Sequence, residues 1–251
     1  GAHSSDCILH HMPNNNNNNN NDPNNNNKPK KGSIEDTYGV SNLKQAGVVI
    51  VTLAPELDGA LSTIQTLTRT QGVVVAMGHT SATLEQGSLG IDHGATLITH
   101  LFNAMTPFHH REPGLLGLLT RDNYTNTNNT TTNSNGNGNG NTDTDNNAYC
   151  PYYSLIVDGI HSHPVSVKLS HRLNPHRAIL VTDAMCAMGL GDGRHPLGSM
   201  SVDIKGVRAT IAGTDTLAGS VVSMDSCVRS YKTFCGCTTG EAIQAATVHP
   251  A

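Results

Sequence analysis

TLITHLFNAM, residues 96–105, leads an apolar, strand-like segment directly into His100 and then reaches the polar Asn103. A histidine at the end of a buried strand is either a packed core residue or a ligand, and a single one is more often packed. The segments before and after this stretch therefore decide whether His100 has chemical partners.

Short apolar runs alternate with helical patterns along most of the chain. The apolar runs predict strands at 47–55, 73–77, 95–99, 153–159 and 178–184. Helical spacing predicts helices at 56–72, 81–94 and 164–174. Ser81 is the candidate N-cap of the second helix, and residues 194–213 alternate like a β-hairpin. This alternation predicts βα units on a parallel sheet, in either an open doubly wound form or a barrel.

Chemically active side chains follow four successive predicted strands. The second strand leads to His79, the third to His100, the fourth to His161 and the fifth to Asp183. Parallel α/β folds build their active sites at the carboxyl ends of their strands. Packing alone does not explain four such residues in register, because converging polar groups without a ligand would be costly to bury.

The residue types at these strand ends indicate metal-assisted hydrolysis. Imidazoles from adjacent strands, His79 and His100, suit Zn²⁺ or Fe²⁺, with a carboxylate and water completing the coordination. Asp183, on a neighbouring strand end, suits a general base that takes a proton from water and later returns it to a leaving group. We therefore interpret His100 as a ligand held by its strand.

Composition narrows the class of protein. The chain has 251 residues, a net charge of −4 and a pI near 6.4, which give no electrostatic reason to expect nucleic acid or an anionic membrane as partner. No apolar run approaches the roughly 20 residues of a membrane span. Its six cysteines contain no C-x-x-C pair, which favours free thiols in a reducing, cytoplasmic setting.

Two tracts rich in Asn have too few apolar residues to build a packed core. They cover residues 13–32 and 122–148 and consist mainly of Asn, Thr, Gly and Asp. Such composition predicts disordered loop insertions, because there is no burial to offset the entropy of ordering. Asn-rich segments can associate with one another, so a scaffold role through self-association of these tracts is a further possible function.

Eight short motifs in order resemble one family. They are GAH (1–3), TLAPE (52–56), GHTSAT (78–83), THLFNAM (99–105), REPG (111–114), VDGIH (157–161), VTDA (181–184) and LAGS (217–220). Together they resemble the N-acetylglucosamine-6-phosphate deacetylases of the amidohydrolase superfamily. The resemblance implies a (β/α)₈ TIM-type barrel with a small β domain, acting as a homodimer. The implied reaction hydrolyses N-acetyl-D-glucosamine 6-phosphate to D-glucosamine 6-phosphate and acetate.

The resemblance also implies roles for individual residues. His79 and His100 match the histidine ligands of one divalent metal ion per subunit, Zn²⁺ or Fe²⁺, and Asp183 matches the catalytic acid and base. The residues that match substrate-binding positions are His3, Asn103, Ala104, Arg111 and His161. Among these, Asn103, Ala104 and Arg111 match the phosphate-binding group, and the arginine is implied to act across the dimer.

The family carries a further glutamate ligand in an H-L-E-G-P segment before its GAH motif, and this sequence opens at GAH. We therefore expect the chain to be part of a longer protein, with an incomplete barrel. Glu56 follows a predicted strand, but we interpret it as a helix N-terminal acid rather than a replacement ligand. The alternative function is a catalytically inactive sugar-phosphate-binding relative or a non-functional fragment.

Overall fold

The computed structural model describes residues 39–123 and 150–251. His3 and the tract 13–32 lie outside the described residues. Of the tract 122–148, the first two residues end a 3₁₀ helix, and the rest lies outside the described part.

Five strands form one parallel sheet whose spatial order follows the chain order. The strands are β1 (Ile50–Leu53), β2 (Val74–Met77), β3 (Leu97–Ile98), β4 (Tyr152–Ile156) and β5 (Ala178–Val181). Each neighbouring pair is parallel. This sequential order is that of a barrel wall, whereas a doubly wound sheet reverses its order at a switch point. The described residues give five strands, so the eight of a complete barrel are not seen in them.

All five predicted strands are confirmed, but the structure shortens them, and β3 has only two residues. The ladder ends there because the next amides bond elsewhere. Thr99 N still donates to Met77 O (2.9 Å), but His100 N donates to the side-chain Oγ of Ser154 (2.6 Å). The chain thus leaves the sheet at the residue that the sequence singled out.

Five α-helices lie in the described residues: three connect strands of the parallel sheet, and two follow the last strand of the chain. They are α1 (Ala60–Gln65), α2 (Leu84–Asp92), α3 (Pro164–Leu173), α4 (Met224–Cys235) and α5 (Thr239–Ala246). A π-helical turn (Thr66–Thr70) continues α1, and 3₁₀ helices cover Gly114–Asn123 and Pro175–Arg177. Among the described residues, no helix combines the length and apolar character needed to cross a membrane.

The N-cap of α2 differs from the sequence prediction. Thr83 rather than Ser81 caps the helix, because Thr83 Oγ1 accepts from Gln86 N (3.2 Å) while Gln86 Oε1 accepts from Thr83 N (3.0 Å). This reciprocal capping box satisfies two backbone donors at once. Ser81 instead bonds to Glu56. The N-cap therefore lies two residues later than predicted, and the β2–α2 loop is longer by the same amount.

The core lies between the parallel sheet and its helices. Sheet residues such as Leu53, Met77, Ile98 and Leu155 are almost fully buried, as is Ile64 of α1. Close packing of α2 on the sheet depends on a small residue, since a Cβ at Gly90 would lie 2.5 Å from Met77 Sδ. Burial of this apolar surface is the main force that fixes the strand ends in place.

A second, antiparallel sheet follows β5. Its strands are β6 (Gly193–Leu197), β7 (Met200–Lys205), β8 (Arg208–Ile211) and β9 (Leu217–Ser220). The predicted hairpin is confirmed and extended to four strands. Ala184 and Ser220 form a parallel bridge, and Met185 N donates to Ser220 O (3.0 Å). These contacts bring the end of β9 beside the end of β5.

Candidate active site

His79 and His100 meet at the carboxyl ends of the adjacent strands β2 and β3. Their Nε2 atoms are 3.0 Å apart, and the two rings are nearly perpendicular, at 73°. Burial and the neighbouring His100 lower the pKa of His79, although the charge of Asp183 opposes that shift. A lowered pKa favours the neutral imidazole, which is the form that binds a metal ion.

His100 is held by the neighbouring strand β4. Its backbone N–H donates to Ser154 Oγ, and Leu101 N donates to Ser154 O (2.8 Å). Both His100 and Ser154 are buried. Ser154 therefore fixes the backbone of a proposed ligand from inside the core.

The loop that carries His79 is held from β1 by Glu56. Glu56 Oε2 accepts from Thr80 Oγ1 (2.5 Å), and Oε1 accepts from Ser81 N (2.7 Å) and Ser81 Oγ (3.1 Å). The interpretation of Glu56 as a helix N-terminal acid is wrong, because α1 begins only at Ala60 and has no acid in its first turn. Both carboxylate oxygens serve the β2–α2 loop.

Five described residues other than glycine have a positive φ, and all lie after parallel strands. They are His79 (50°), His100 (28°), Phe102 (77°), Ala104 (47°) and Asp183 (45°). This conformation costs of order 1–3 kcal/mol per residue and persists where the surrounding structure enforces it. Its concentration at one end of the sheet indicates a functional site there.

Asp183 and His161 complete the polar group at the strand ends. Asp183 follows β5 and is exposed. Its charge adds to the rise that the Asp158 hydrogen bond causes in the pKa of His161, and it opposes the lowering of the His79 pKa by burial and His100. His161 is held by Asp158, whose Oδ2 lies 2.6 Å from His161 Nδ1. The structure therefore brings His79, His100, Asp183 and His161 into one electrostatic neighbourhood.

The β3 loop positions Asn103 and Ala104 beside the β2–α2 loop. Asn103 N donates to His100 O (2.9 Å), and its side-chain amide lies 3.4 Å from His100 O. Ala104 O accepts from Thr80 N (3.0 Å). Thr80 thus links Glu56 to the β3 loop, so the loops of three strands form one hydrogen-bonded unit.

Arg111 lies at the tip of a tight turn. His109 and Glu112 exchange both backbone hydrogen bonds, at 3.1 and 3.0 Å, and Arg111 between them is exposed. Glu112 Oε1 anchors the turn by accepting from Leu84 N (2.7 Å) at the start of α2. Arg111 N donates to His109 Nδ1 (3.3 Å), and none of the contacts in the described residues joins Arg111 to His79 or His100.

The described residues fit part of a metal site. Two imidazole Nε2 atoms converge within 3.0 Å, and the buried Nδ1 of His100 has no hydrogen-bond partner in the described structure. Within residues 39–123 and 150–251, however, no group of three or more His, Cys, Asp or Glu side chains could hold a metal ion. The pair supplies two convergent nitrogen donors, and any further protein ligand would have to come from elsewhere.

Sequence reasoning did not find the positioning role of four residues. Glu56, Glu112, Ser154 and Asp158 each hold a strand-end loop by hydrogen bonds to its backbone. Three of them stand inside the motifs TLAPE, REPG and VDGIH, and Ser154 is a polar residue within an apolar strand. Their positions in these motifs, and the polar residue in an apolar strand, were the features of the sequence that could have indicated a positioning role.

The fold and site define an α/β protein whose candidate active site lies at the carboxyl ends of consecutive parallel strands. No family model matches the chain. It is 44% identical over 216 residues to N-acetylglucosamine-6-phosphate deacetylase from Danio rerio, covering 86% of this chain and 47% of the relative. It is 46% identical over 204 residues to the enzyme of that name from Mus musculus, covering 81% and 44%.

A solved structure agrees. It is a mutant of N-acetyl-D-glucosamine-6-phosphate deacetylase from Mycobacterium smegmatis in complex with N-acetyl-D-glucosamine-6-phosphate, with a TM-score of 0.66 and 38% identity. The match covers 82% of this chain and 49% of that one. The chain belongs to the N-acetylglucosamine-6-phosphate deacetylase family, and it spans about half the length of the curated relatives it matches.

Proposed function

We propose that the protein catalyses metal-dependent hydrolysis of the acetamide of N-acetyl-D-glucosamine 6-phosphate to D-glucosamine 6-phosphate and acetate. The observation that carries this proposal is the 3.0 Å approach of His79 Nε2 to His100 Nε2 beside Asp183. Family membership supports the choice of substrate, since the enzyme from Mycobacterium smegmatis was solved with this sugar phosphate.

One divalent metal ion per subunit, Zn²⁺ or Fe²⁺, would be held by His79 and His100. When bound, such an ion polarises a carbonyl oxygen and lowers the pKa of water towards 7. His79 and His100 suit this role because short loops tied to β1 and β4 fix their backbones.

The residues of the chain divide the remaining work. Asp183 accepts a proton from the attacking water and returns it to the departing amine as general acid. His161 faces the developing charge on the amide oxygen as a hydrogen-bond donor. His3, outside the described residues, is proposed to orient the same amide.

The phosphate would be bound by Asn103, Ala104 and Arg111. Arg111 suits a phosphate because its guanidinium can make two parallel hydrogen bonds. Its place on an exposed turn is consistent with a homodimer in which this arginine completes the partner's site. Mixing an inactive Asp183→Asn chain with an inactive Arg111→Ala chain should then restore part of the activity, whereas an arginine acting within its own subunit predicts none.

The first test is deacetylation by the purified chain with metal content read on the same sample. Asp183→Asn should lose nearly all turnover and keep its metal, while the exposed Asp215→Asn should behave like the wild type. Retained turnover in Asp183→Asn would refute the assignment of Asp183 as the catalytic acid and base. If the chain shows neither turnover nor metal, adding an H-L-E-G-P segment before GAH should supply both.

An inactive sugar-phosphate-binding protein is the second candidate. Such a protein would keep the phosphate-binding residues Asn103 and Arg111 without completing a metal site. Calorimetry with the sugar phosphate, before and after chelation, separates the two. Binding that is unaffected by chelation and never followed by acetate release would support the binding protein.

A reducing, cytoplasmic setting fits the cysteines. Cys186, Cys227, Cys235 and Cys237 are free thiols. Burial raises the pKa of the Cys235 thiol to about 12, so this sulfur is unreactive near neutral pH. Thiol titration of freshly isolated protein should find these four groups reduced.

A further inference from the structure

Asp158 lies two residues beyond the end of β4 and closes a tight turn onto His161. Its side chain is fully buried, while 15% of the His161 side chain is exposed. Asp158 Oδ1 accepts from the backbone N–H of Ile160 and of His161, both at 2.8 Å. Its Oδ2 lies 2.6 Å from His161 Nδ1. One buried carboxylate therefore holds both the backbone and the ring of His161.

The pKa shifts of Asp158 and His161 both favour the charged pair, a carboxylate and a protonated ring. Burial acts to raise the pKa of Asp158, but the hydrogen bonds from His161 and Ile160 outweigh it and lower that pKa. The hydrogen bond to Asp158 raises the pKa of His161 against burial, and Asp183 adds to the rise. Cys227 of α4 also approaches Asp158, but burial raises the pKa of its thiol, which stays neutral.

The position of the proton on the ring follows from this geometry. A carboxylate can only accept a hydrogen bond, so Nδ1 of His161 must carry a hydrogen in either charge state. The other nitrogen, Nε2, gains its hydrogen only when the ring is protonated. A protonated ring then presents Nε2–H away from Asp158 as a charge-assisted donor.

We propose that Asp158 is a positioning residue that fixes His161 with Nδ1–H on the carboxylate and presents protonated Nε2 to an oxygen of the bound sugar phosphate. This inference rests on the proposed function for its substrate, but the state of the ring can be measured without turnover. The Asp158 side chain is fully buried and bonds to Nδ1, so we assign it no direct contact with the substrate.

The decisive experiment is a ¹⁵N NMR titration of the histidine side chains, with His161 assigned from His161→Gln. The wild-type ring should show Nδ1–H and titrate above its ordinary value of 6.5. In Asp158→Asn, an amide group replaces one oxygen and the negative charge is lost, so the titration should move to lower pH. Asp203→Asn, which removes a carboxylate from the antiparallel sheet, should leave it unchanged.

Turnover gives a second, independent readout. Asp158→Asn should lower kcat/KM by about 10²-fold, the cost of removing one preorganised donor, and should move the alkaline fall in kcat/KM to lower pH. In a His161→Gln background the same substitution should have little further effect.

The outcomes separate the two proposals. An unchanged His161 titration in Asp158→Asn, or a wild-type ring with hydrogen only on Nε2, would overturn the positioning role. If Asp158→Asn does not fold, the wild-type tautomer alone decides it. Absence of deacetylation with a normal titration would overturn the proposed function and leave the Asp158–His161 coupling standing.

Discussion

Glu56 Oε2 accepts a 2.5 Å hydrogen bond from Thr80 Oγ1 and thereby joins the ends of the neighbouring strands β1 and β2. Thr80 directly follows His79, and Ser81 donates twice to the other oxygen of the same carboxylate. The backbone next to the proposed metal ligand His79 is thus held by an acid from the loop that follows the adjacent strand β1. Groups that orient a metal ligand commonly contribute about 10- to 100-fold to metal affinity.

Glu56→Ala should weaken Zn²⁺ binding about 10- to 100-fold, the usual cost of losing such a partner. Without the carboxylate, Thr80 and Ser81 lose their acceptor and His79 is released from its strained conformation. Competition with a chromophoric chelator measures the affinity. Asp58→Ala, an exposed acid two residues away, should bind Zn²⁺ like the wild type; equal affinity in the Glu56 variant would contradict the positioning role.

Ser154→Ala should destabilise the protein by about 1–3 kcal/mol, because the buried N–H of His100 would lose its acceptor. The free energy of unfolding in urea checks this value. The exposed Ser62→Ala should change it by no more than about 0.5 kcal/mol. A similar small change in Ser154→Ala would mean that the His100 amide finds another acceptor.

Gly78→Ala should cost about 1–3 kcal/mol by overpacking. A Cβ at this position would lie 2.7 Å from Thr99 Cβ and 3.2 Å from Thr52 Cγ2. The matched control is Gly240→Ala on α5, where the nearest atom is 3.9 Å away. That change should be neutral or stabilising by up to about 1 kcal/mol, and equal thermal midpoints for both variants would refute the clash.

His171 should make the fold less stable in acid. Its Nδ1 lies 2.9 Å from Tyr231 Oη in the interior, and burial, then the charges of Arg172 and His176, lower its pKa although Glu241 opposes them. The unfolded chain therefore binds a proton more readily. The contribution of this group is complete above pH 6.5 and is lost as the pH falls from there through the folded pKa.

Urea midpoints at about pH 7.5 and pH 5 measure this effect. His171→Gln should lose less stability between the two values than the wild type does. The exposed His110→Gln should show the full wild-type loss. An identical loss in His171→Gln would assign the acid sensitivity to other groups.

The sequence predicted the strands well because their information is local. Runs such as VVVAM at 73–77 are apolar and β-branched, and they form strands wherever a sheet can bury them. The boundary of β3 could not be predicted, because it depends on a serine 54 positions later that captures the amide of His100. The N-cap of α2 was misplaced for the same reason, since Glu56 draws Ser81 away from the helix.

The site was predicted in outline. His79, His100, His161 and Asp183 stand at strand ends in the sequence, and the structure brings them into one neighbourhood. The role of Glu56 was predicted wrongly because an acid shortly before a helix is normally stabilised by the helix dipole. The role of Arg111 remains a prediction, since its side chain is exposed and no contact in the described residues joins it to His79 or His100.

By itself the sequence determined the alternating α/β architecture, the strand-end residues and the family, because hydrophobic periodicity and short motifs are properties of neighbouring residues. Only the tertiary structure decided that two imidazole nitrogens approach within 3.0 Å and that Glu56, Ser154 and Asp158 hold them and His161 in place. Such contacts join residues between 3 and 54 positions apart along the chain. They exist because burial of the core fixes the ends of the strands, and hydrogen bonds between loops can then select one conformation.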